Sequence, residues 1–450
     1  MRSRIDAVAS WLFMVTICAL TVLHLSSAVP AAAQTGQNAV YNAGSPVPSP
    51  SFIDASQFAK LTLDFCGVLN AVLAGTKYPA TGAVIDARAV PTSTPPTQPT
   101  CAASPWAGIT NPPPSTILLP AGTIQISTPW VLPSNTRLIG EGESDPRSAV
   151  PGTTIQAAST IQMQAMIQFG SSAVCSSGCS GISVERLTID GNSLFLHGIS
   201  NLYAQNNTYV DHVTLYQILG TGLLISGPSA QNSGPYTNIT FDTGSTPVTT
   251  STACAQIIGT GGTKGIRGLM CESETNDAPA AVLLDDNNNS IQDVKVVGFH
   301  DGVLVGSNAA AQNNVLVNII GDTSCGTCPT TPINAIHIAP SNVTNLSIIG
   351  VSNSNMAGTN TIEDEETLPA PHFISDASVA MYAIGEPIMG GGYTRYTTSL
   401  KVPHWTVGTS APNTPCSQGS LYSCTTPSSG GNVCTHALWV CGGSGWVFVK

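Results

Sequence analysis

An all-β chain is what this sequence predicts: a right-handed parallel β-helix with an N-terminal capping helix and a small C-terminal disulfide-rich β module. Three observations lead there. Charged residues make up only 9% of the 450, where ordinary soluble chains carry about 25%. Short alternating apolar runs recur along the middle of the chain at intervals of a few tens of residues. A second apolar run, opened by a small residue, follows most of them.

The first observation excludes several classes. With 14 Lys and Arg against 25 Asp and Glu, the net charge is −11. A coiled coil needs charged flanks, and a charge-solvated disordered chain needs more charge than this. Nucleic acid is excluded as a partner, because neutralising phosphates takes a Lys/Arg footprint that is absent. Forty-three Gly and 32 Pro fit β-structure with many turns.

Residues 1–33 read as a signal peptide. Arg2 and Arg4 precede an apolar run from Trp11 to Leu25, and Ala31-Ala32-Ala33 supplies the cleavage site. The rival reading is a membrane anchor, but the run is shorter than the roughly 20 residues a span requires. Cys18 lacks the preceding small pair of a lipoprotein. The expected product starts at Gln34, is secreted to the extracellular space or cell surface, and has no membrane span after cleavage.

Residues 34–115 read as a linker and capping helix. Apolar residues recur at helical spacing from Phe58 to Leu73, with Asp54 or Ser56 as N-cap candidates. A helix there would cover strand edges that otherwise invite aggregation. Pro-rich stretches near 46–50, 91–100 and 112–114 read as loops.

Residues 116–400 carry the repeat. Its runs include Glu185-Arg-Leu-Thr-Ile189, Asp211-His-Val-Thr-Leu215, Thr237-Asn-Ile-Thr-Phe241 and Gln292-Asp-Val-Lys-Val296. Asn313-Asn-Val-Leu-Val317 and Thr344-Asn-Leu-Ser-Ile348 continue it, and Arg267-Gly-Leu-Met-Cys271 fits less well. Leu187, Val213, Ile239, Leu269, Val294, Val315 and Leu346 are then the central inward residues. Just before them stand Arg186, His212, Asn238, Asp293, Asn314 and Asn345, a column read as structural. The second strands are Gly198-Ile-Ser, Gly222-Leu-Leu-Ile225, Ala281-Val-Leu-Leu284, Gly302-Val-Leu-Val305 and Ala335-Ile-His-Ile338. Helical repeats of this length would show a 3.6-residue period and many charges. Residues 401–450, rich in Cys and Trp, read as a terminal module.

Of 13 Cys, Cys18 leaves with the signal, so an even number remains. They fall into local groups: Cys66 with Cys101, Cys175 with Cys179, Cys254 with Cys271, and Cys325 with Cys328. Cys325-Gly-Thr-Cys328 has zinc-ribbon spacing, but a structural zinc site needs a second pair close by. Export favours disulfides. No metal and no cofactor is implied.

The rung register yields one candidate site. Three places beyond the central residue stand Asp190, Tyr216, Asp242 and Glu272. Asp190, Asp242 and Glu272 are the candidate catalytic carboxylates, and Tyr216 a candidate substrate platform. Parity would put all of them outward. Asp190 and Asp242, two rungs apart, would lie about 9–10 Å from one another, at the upper edge of the roughly 6.5–9.5 Å of an inverting pair. The rival reading makes Asp-Gly-Asn at 190–192 and Asp242-Thr-Gly244 plain turns. Asp211-His212 and His300-Asp301 are further acid–imidazole neighbours. Strand alternation sends neighbours to opposite faces, so neither is expected to form a dyad.

Leu118-Leu-Pro-Ala-Gly-Thr-Ile-Gln-Ile-Ser127, Pro129-Trp-Val-Leu-Pro-Ser-Asn-Thr-Arg-Leu-Ile-Gly-Glu-Gly142, Thr153-Thr-Ile-Gln156 and Leu187-Thr-Ile-Asp-Gly-Asn192 together resemble the pectate-lyase-like β-helix family, polygalacturonases and rhamnogalacturonases included. The resemblance covers about residues 110–350 and implies a fold and a polysaccharide partner. Its motifs do not carry over residue by residue. Asp285-Asp286 is the sole Asp-Asp pair, and His197-Gly198 lacks the preceding Gly. The expected function is therefore a secreted protein that acts on or binds extracellular polysaccharide. A hydrolase using paired carboxylates, or a lyase, is its enzymatic form; a non-catalytic surface, adhesion or spacer protein is the alternative.

Overall fold

The computed structural model describes residues 51–59, 64–76, 78–91, 100–144, 152–159, 164–175, 178–244, 251–273, 278–322, 334–340, 343–354, 362–365, 372–375, 381–383, 405–408, 421–424, 438–441 and 446–448. The signal segment 1–33, Cys325 and Cys328 lie outside them. Among the described residues, fourteen strands join in one sheet and ten in a second. From Ser183–Leu194 onward the chain alternates between the two. Strands Tyr209–Ile218, Tyr236–Asp242, Ile266–Glu272, Ser290–Val297, Val315–Asp322 and Leu346–Ser354 build the first sheet. Strands His197–Asn201, Thr221–Ser226, Ala253–Ile258, Ala280–Asp285, Asp301–Val305 and Asn334–Ile338 build the second. Every pairing within the two sheets is parallel. Alternation between two parallel stacks defines a parallel β-helix.

Hydrophobic burial drives the stacking. Leu187 pairs in register with Val213, Val213 with Ile239, Ile239 with Leu269 and Leu269 with Val294. All five are almost wholly buried. Each such side chain contributes about 1.5–3 kcal/mol of transfer free energy. The second sheet supplies the facing column Ile199, Leu223, Ala255, Val282, Val303 and Ile336.

Arg186, His212, Asn238, Asp293 and Asn318 all have φ between 52° and 55°. Each is skipped in the pairing, so the strand bends there. Gly268, at φ 69°, fills the same slot in the rung whose sequence fits the repeat less well. Glycine adopts that conformation without the cost a side chain carries. The repeat is therefore intact at Leu269.

Two rungs depart from the sequence register. Val294 pairs with Ile319 rather than Val315, and Ile319 with Val351 rather than Leu346. The left-handed residues there are Asn318 and Gly350, not Asn314 and Asn345. Asn345 belongs to another corner, where Asn288, Asn313 and Asn345 stack with φ of 58°, 56° and 54°. Their amides bond in series, Asn313 Nδ2 to Asn288 Oδ1 at 3.3 Å and Asn345 Nδ2 to Asn313 Oδ1 at 3.0 Å. Asn314 is buried beside them, bonding Asn289 N and the Asp286 carbonyl. Two asparagine columns, each followed by alternating apolar residues, produce the same local pattern.

The α-helix spans Phe65–Leu73, with Asp64 as its N-cap, accepting from Gly67 N at 2.6 Å. Asp54 instead caps a single 3-10 turn, Ala55–Phe58. Phe65, Val68, Leu69 and Val72 join the core cluster. Disulfides link Cys66 to Cys101, Cys175 to Cys179 and Cys254 to Cys271. The first closes a loop worth about 4 kcal/mol of denatured-state entropy in the chain-entropy model. The third joins a second-sheet strand to the next first-sheet strand, and both cysteines are fully buried. A further sheet contains Trp405–Gly408, Leu421–Cys424, Leu438–Cys441 and Trp446–Phe448.

Small residues open the second-sheet strands because backbone passes over them. A Cβ on Gly222 would lie 2.6 Å from the Phe241 ring and 2.7 Å from the Cys254 carbonyl oxygen. Neither neighbour can withdraw cheaply. Gly222→Ala should therefore destabilise the fold by about 1–3 kcal/mol, the usual cost of overpacking. Urea denaturation checks this, and an unchanged midpoint would contradict the packing described.

Candidate functional site

The first-sheet register brings the candidate column together. Asp190 pairs with Tyr216, Tyr216 with Asp242, and Asp242 with Glu272. Successive members are about 4.8 Å apart along the stack. Gln156 extends the column on the other side, opposite Asp190. Its Nε2 donates to Asp190 Oδ2 at 2.7 Å, and Gln125 Nε2 donates to Gln156 Oε1 at 3.3 Å. A polar ladder thus runs from Gln125 to Glu272 along one outer face.

The four residues differ in access. Tyr216, Asp242 and Glu272 are half-buried. Asp190 keeps only 7% of its surface exposed, so outward parity does not leave it open. Segment 141–144 arrives over this end of the face. Ser144 N donates to Thr188 Oγ1 at 3.0 Å, and Thr214 Oγ1 donates to Glu143 Oε2 at 2.8 Å. Burial raises the Asp190 pKa above its ordinary value, partly offset by the bonds from Gln156 and Asn192 N. Asp190 Oδ1 accepts from Asn192 N at 2.8 Å, and Asp242 Oδ1 from Gly244 N at 2.7 Å. Each carboxylate therefore also closes a turn.

The two acid–imidazole neighbours do touch, contrary to the alternation argument. His212 Nδ1 lies 2.9 Å from Asp211 Oδ2, and His300 Nδ1 lies 3.3 Å from Asp301 Oδ1. His212 sits at φ 52°, which breaks the alternation, and His300 precedes the strand that Asp301 begins.

The second of these pairs belongs to a cluster that sequence reading missed. His337 Nδ1 stands 2.9 Å from Asp301 Oδ2, and Asn334 Nδ2 donates to Asp301 Oδ1 at 2.9 Å. Asn334 Nδ2 also reaches Glu363 Oε2 at 2.5 Å, and His337 Nε2 lies 3.4 Å from Glu365 Oε2. Burial opposes a charged His337, yet the Asp301 bond and charge, with Glu363 and Glu365, push its pKa up to about 9. Burial likewise opposes ionised Asp301. Bonds from His300 and His337, the His337 charge and the Asn334 bond outweigh it and hold that carboxyl below its ordinary value. Strand register could have supplied only the Asp301↔Asn334 and His337↔Glu363 pairings. Asp285 and Asp286, the sole Asp-Asp pair, serve a corner. Asp285 accepts from Ser307 Oγ, Asn308 N and Asn308 Nδ2, and Asp286 from Thr260 Oγ1, Gly261 N and Asn289 Nδ2. Among the described residues, no group of three or more His, Cys, Asp or Glu could hold a metal ion.

The fold and this face define the chain as a parallel β-helix with a carboxylate-bearing column on its first sheet. No family model matches it, and no curated protein matches it. The pectate-lyase-like resemblance thus stays unconfirmed. Solved structures do match in part. The A-module of Azotobacter vinelandii mannuronan C-5 epimerase is 13% identical, with a TM-score of 0.39, over 76% of this chain and 100% of that one. A mutant E. coli bacteriophage tailspike protein in complex with a hexasaccharide is 12% identical, with a TM-score of 0.48, over 75% of this chain and 64% of that one. A DFA-IIIase from Arthrobacter chlorophenolicus in complex with DFA-III is 13% identical, with a TM-score of 0.40, over 76% and 85%.

The His337 cluster has a pH signature. The folded pKa lies above the ordinary 6.5, so the stabilisation is complete below about pH 6.5 and is lost as pH rises through about 9. Chemical denaturation at several pH values should show stability falling across that window, and His337→Gln should flatten the fall. Equal slopes in both proteins would remove the cluster from the explanation.

Proposed function

We propose that the protein is exported and acts on or binds an extracellular polysaccharide laid along the outer face of the first sheet. The observation that carries this reading is the register of Asp190, Tyr216, Asp242 and Glu272 on consecutive rungs. A repeating ligand suits a repeating surface, and a sugar ring packs against an aromatic face such as Tyr216. In the enzymatic form the carboxylates cleave a glycosidic bond. Asp190, whose burial favours the protonated state, is the general acid. Asp242, two rungs away, is the base that activates water. Glu272, beside Asp242, holds the next sugar.

Export rests on the N-terminal sequence and on the three disulfides, which persist in oxidising compartments. No helix among the described residues is long and apolar enough to cross a membrane. The coil is taken as right-handed, the hand of about 98% of parallel crossovers. The Phe65–Leu73 helix is its cap, residues 116–400 its body and 401–450 a terminal module. N-terminal sequencing of exported material should start at Gln34, and an intact Met1 there would remove the signal-peptide reading.

A second reading has its own support. Asp190 is buried, and both Asp190 and Asp242 close turns, as a non-catalytic spacer or adhesion protein would use them. Asp242→Asn decides between the two. Asparagine keeps the Oδ1 that accepts from Gly244 N, so thermal stability should hardly change. Cleavage of any glycan in a panel of acidic and neutral polysaccharides should be abolished. Cleavage that survives the substitution would take the column out of the chemistry, and no cleavage by the parent protein would favour the spacer.

A further inference from the structure

The second sheet carries a cleft of about 320 Å³ on its outer face, on rungs near Ala165–Phe169, His197–Asn201 and Thr221–Ser226. Gln168, Ser200 and Leu224 are register partners on its floor. Phe195 stands at its side with 64% of its surface exposed, and Leu202 with 36%. Phe195 lies in the turn between the strands ending at Leu194 and starting at His197, which presents its ring toward solvent. Gln164, Gln168 and His197 complete the polar lining.

The lining decides the ligand. It holds no Asp, Glu, Lys or Arg, so an ionic ligand would find no countercharge. Burial lowers the His197 pKa below its ordinary value. The Thr221 backbone N–H donates to His197 Nδ1 at 3.0 Å. A neutral ring accepting at Nδ1 carries its proton on Nε2, which makes it a donor. Two amides, an imidazole N–H and a hydroxyl beside an exposed aromatic ring form a surface that is apolar on one side and rich in neutral donors and acceptors on the other. An uncharged pyranose ring has the same division, with C–H groups on its faces and hydroxyls on its rim.

We infer that this cleft binds an uncharged pyranose unit of a glycan, with Phe195 against the ring face and Gln164, Gln168 and His197 on its hydroxyls. The site lies on the sheet opposite the carboxylate column and does not depend on cleavage there. A chain held on this face would be anchored while another segment lies along the first sheet. The same outward column reaches His337 of the charged cluster five rungs from Ser200, through Leu224, Gln256, Leu283 and Leu304. The face is thus neutral around the cleft and charged five rungs away.

The test is calorimetric titration of the full-length mature protein with cellohexaose, xylohexaose, mannohexaose and maltohexaose to millimolar concentration. Hexagalacturonate is the charged comparison. At least one neutral hexasaccharide should bind. Phe195→Ala should weaken it roughly two- to tenfold, the scale of a lost aromatic contact, with thermal stability unchanged because the side chain is exposed. Gln168→Ala should weaken it less. Absence of binding by all four neutral sugars, equal binding by Phe195→Ala, or binding of hexagalacturonate alone would overturn the inference. None of these outcomes depends on whether Asp242 is catalytic.

Discussion

Parallel register is the constraint on which everything else in this molecule depends. Rungs stack about 4.8 Å apart, so every residue has near-copies of itself directly above and below. A column of apolar residues gains from this, and like charges stacked in one column repel. The low charge content follows. Several charges on the first sheet face an opposite charge on the neighbouring rung, as in Arg137 with Glu185 at 2.9 Å, Arg267 with Asp293 at 3.3 Å and Lys295 with Asp322 at 3.7 Å. These pairs are exposed and contribute little stability each. Their role is to make charge tolerable in a stack.

The same constraint concentrates chemistry. A groove on an ordinary surface gathers side chains from unrelated segments, but here each rung delivers one residue to a given place. Asp190, Tyr216, Asp242 and Glu272 share a face because they occupy one position of the repeat. The second sheet delivers Gln168, Ser200 and Leu224 by the same arithmetic. An elongated ligand meets such columns along its length, which is why a polymer suits this architecture better than a compact metabolite.

How much of this was legible in the sequence follows from where the repeat is strict. From Leu187 to Val294 the spacing of apolar residues located the inward column correctly, Leu269 included. At Val315 and Leu346 it failed, because the Asn288–Asn313–Asn345 corner imitates the bend ahead of the true central residues, Ile319 and Val351. The three candidate carboxylates and Tyr216 were aligned by the register alone. The burial of Asp190 was not legible, since its side-chain partner Gln156 comes from a strand ahead of the repeated runs. Nor was the His337 cluster. Its members come from three strands, and His300 and Asp301 meet at a corner where alternation no longer applies.

Cross-linking tests the register directly. In-register residues on neighbouring rungs have the Cα separation a disulfide accepts, about 4.4–6.8 Å. Lys295 pairs with Ile320, whereas the apolar pattern read from sequence would pair it with Leu316. Under mild oxidation the double variant Lys295→Cys/Ile320→Cys should form a bond that mass mapping detects, and Lys295→Cys/Leu316→Cys should not. Bonding in the second variant and none in the first would contradict the register of the stack.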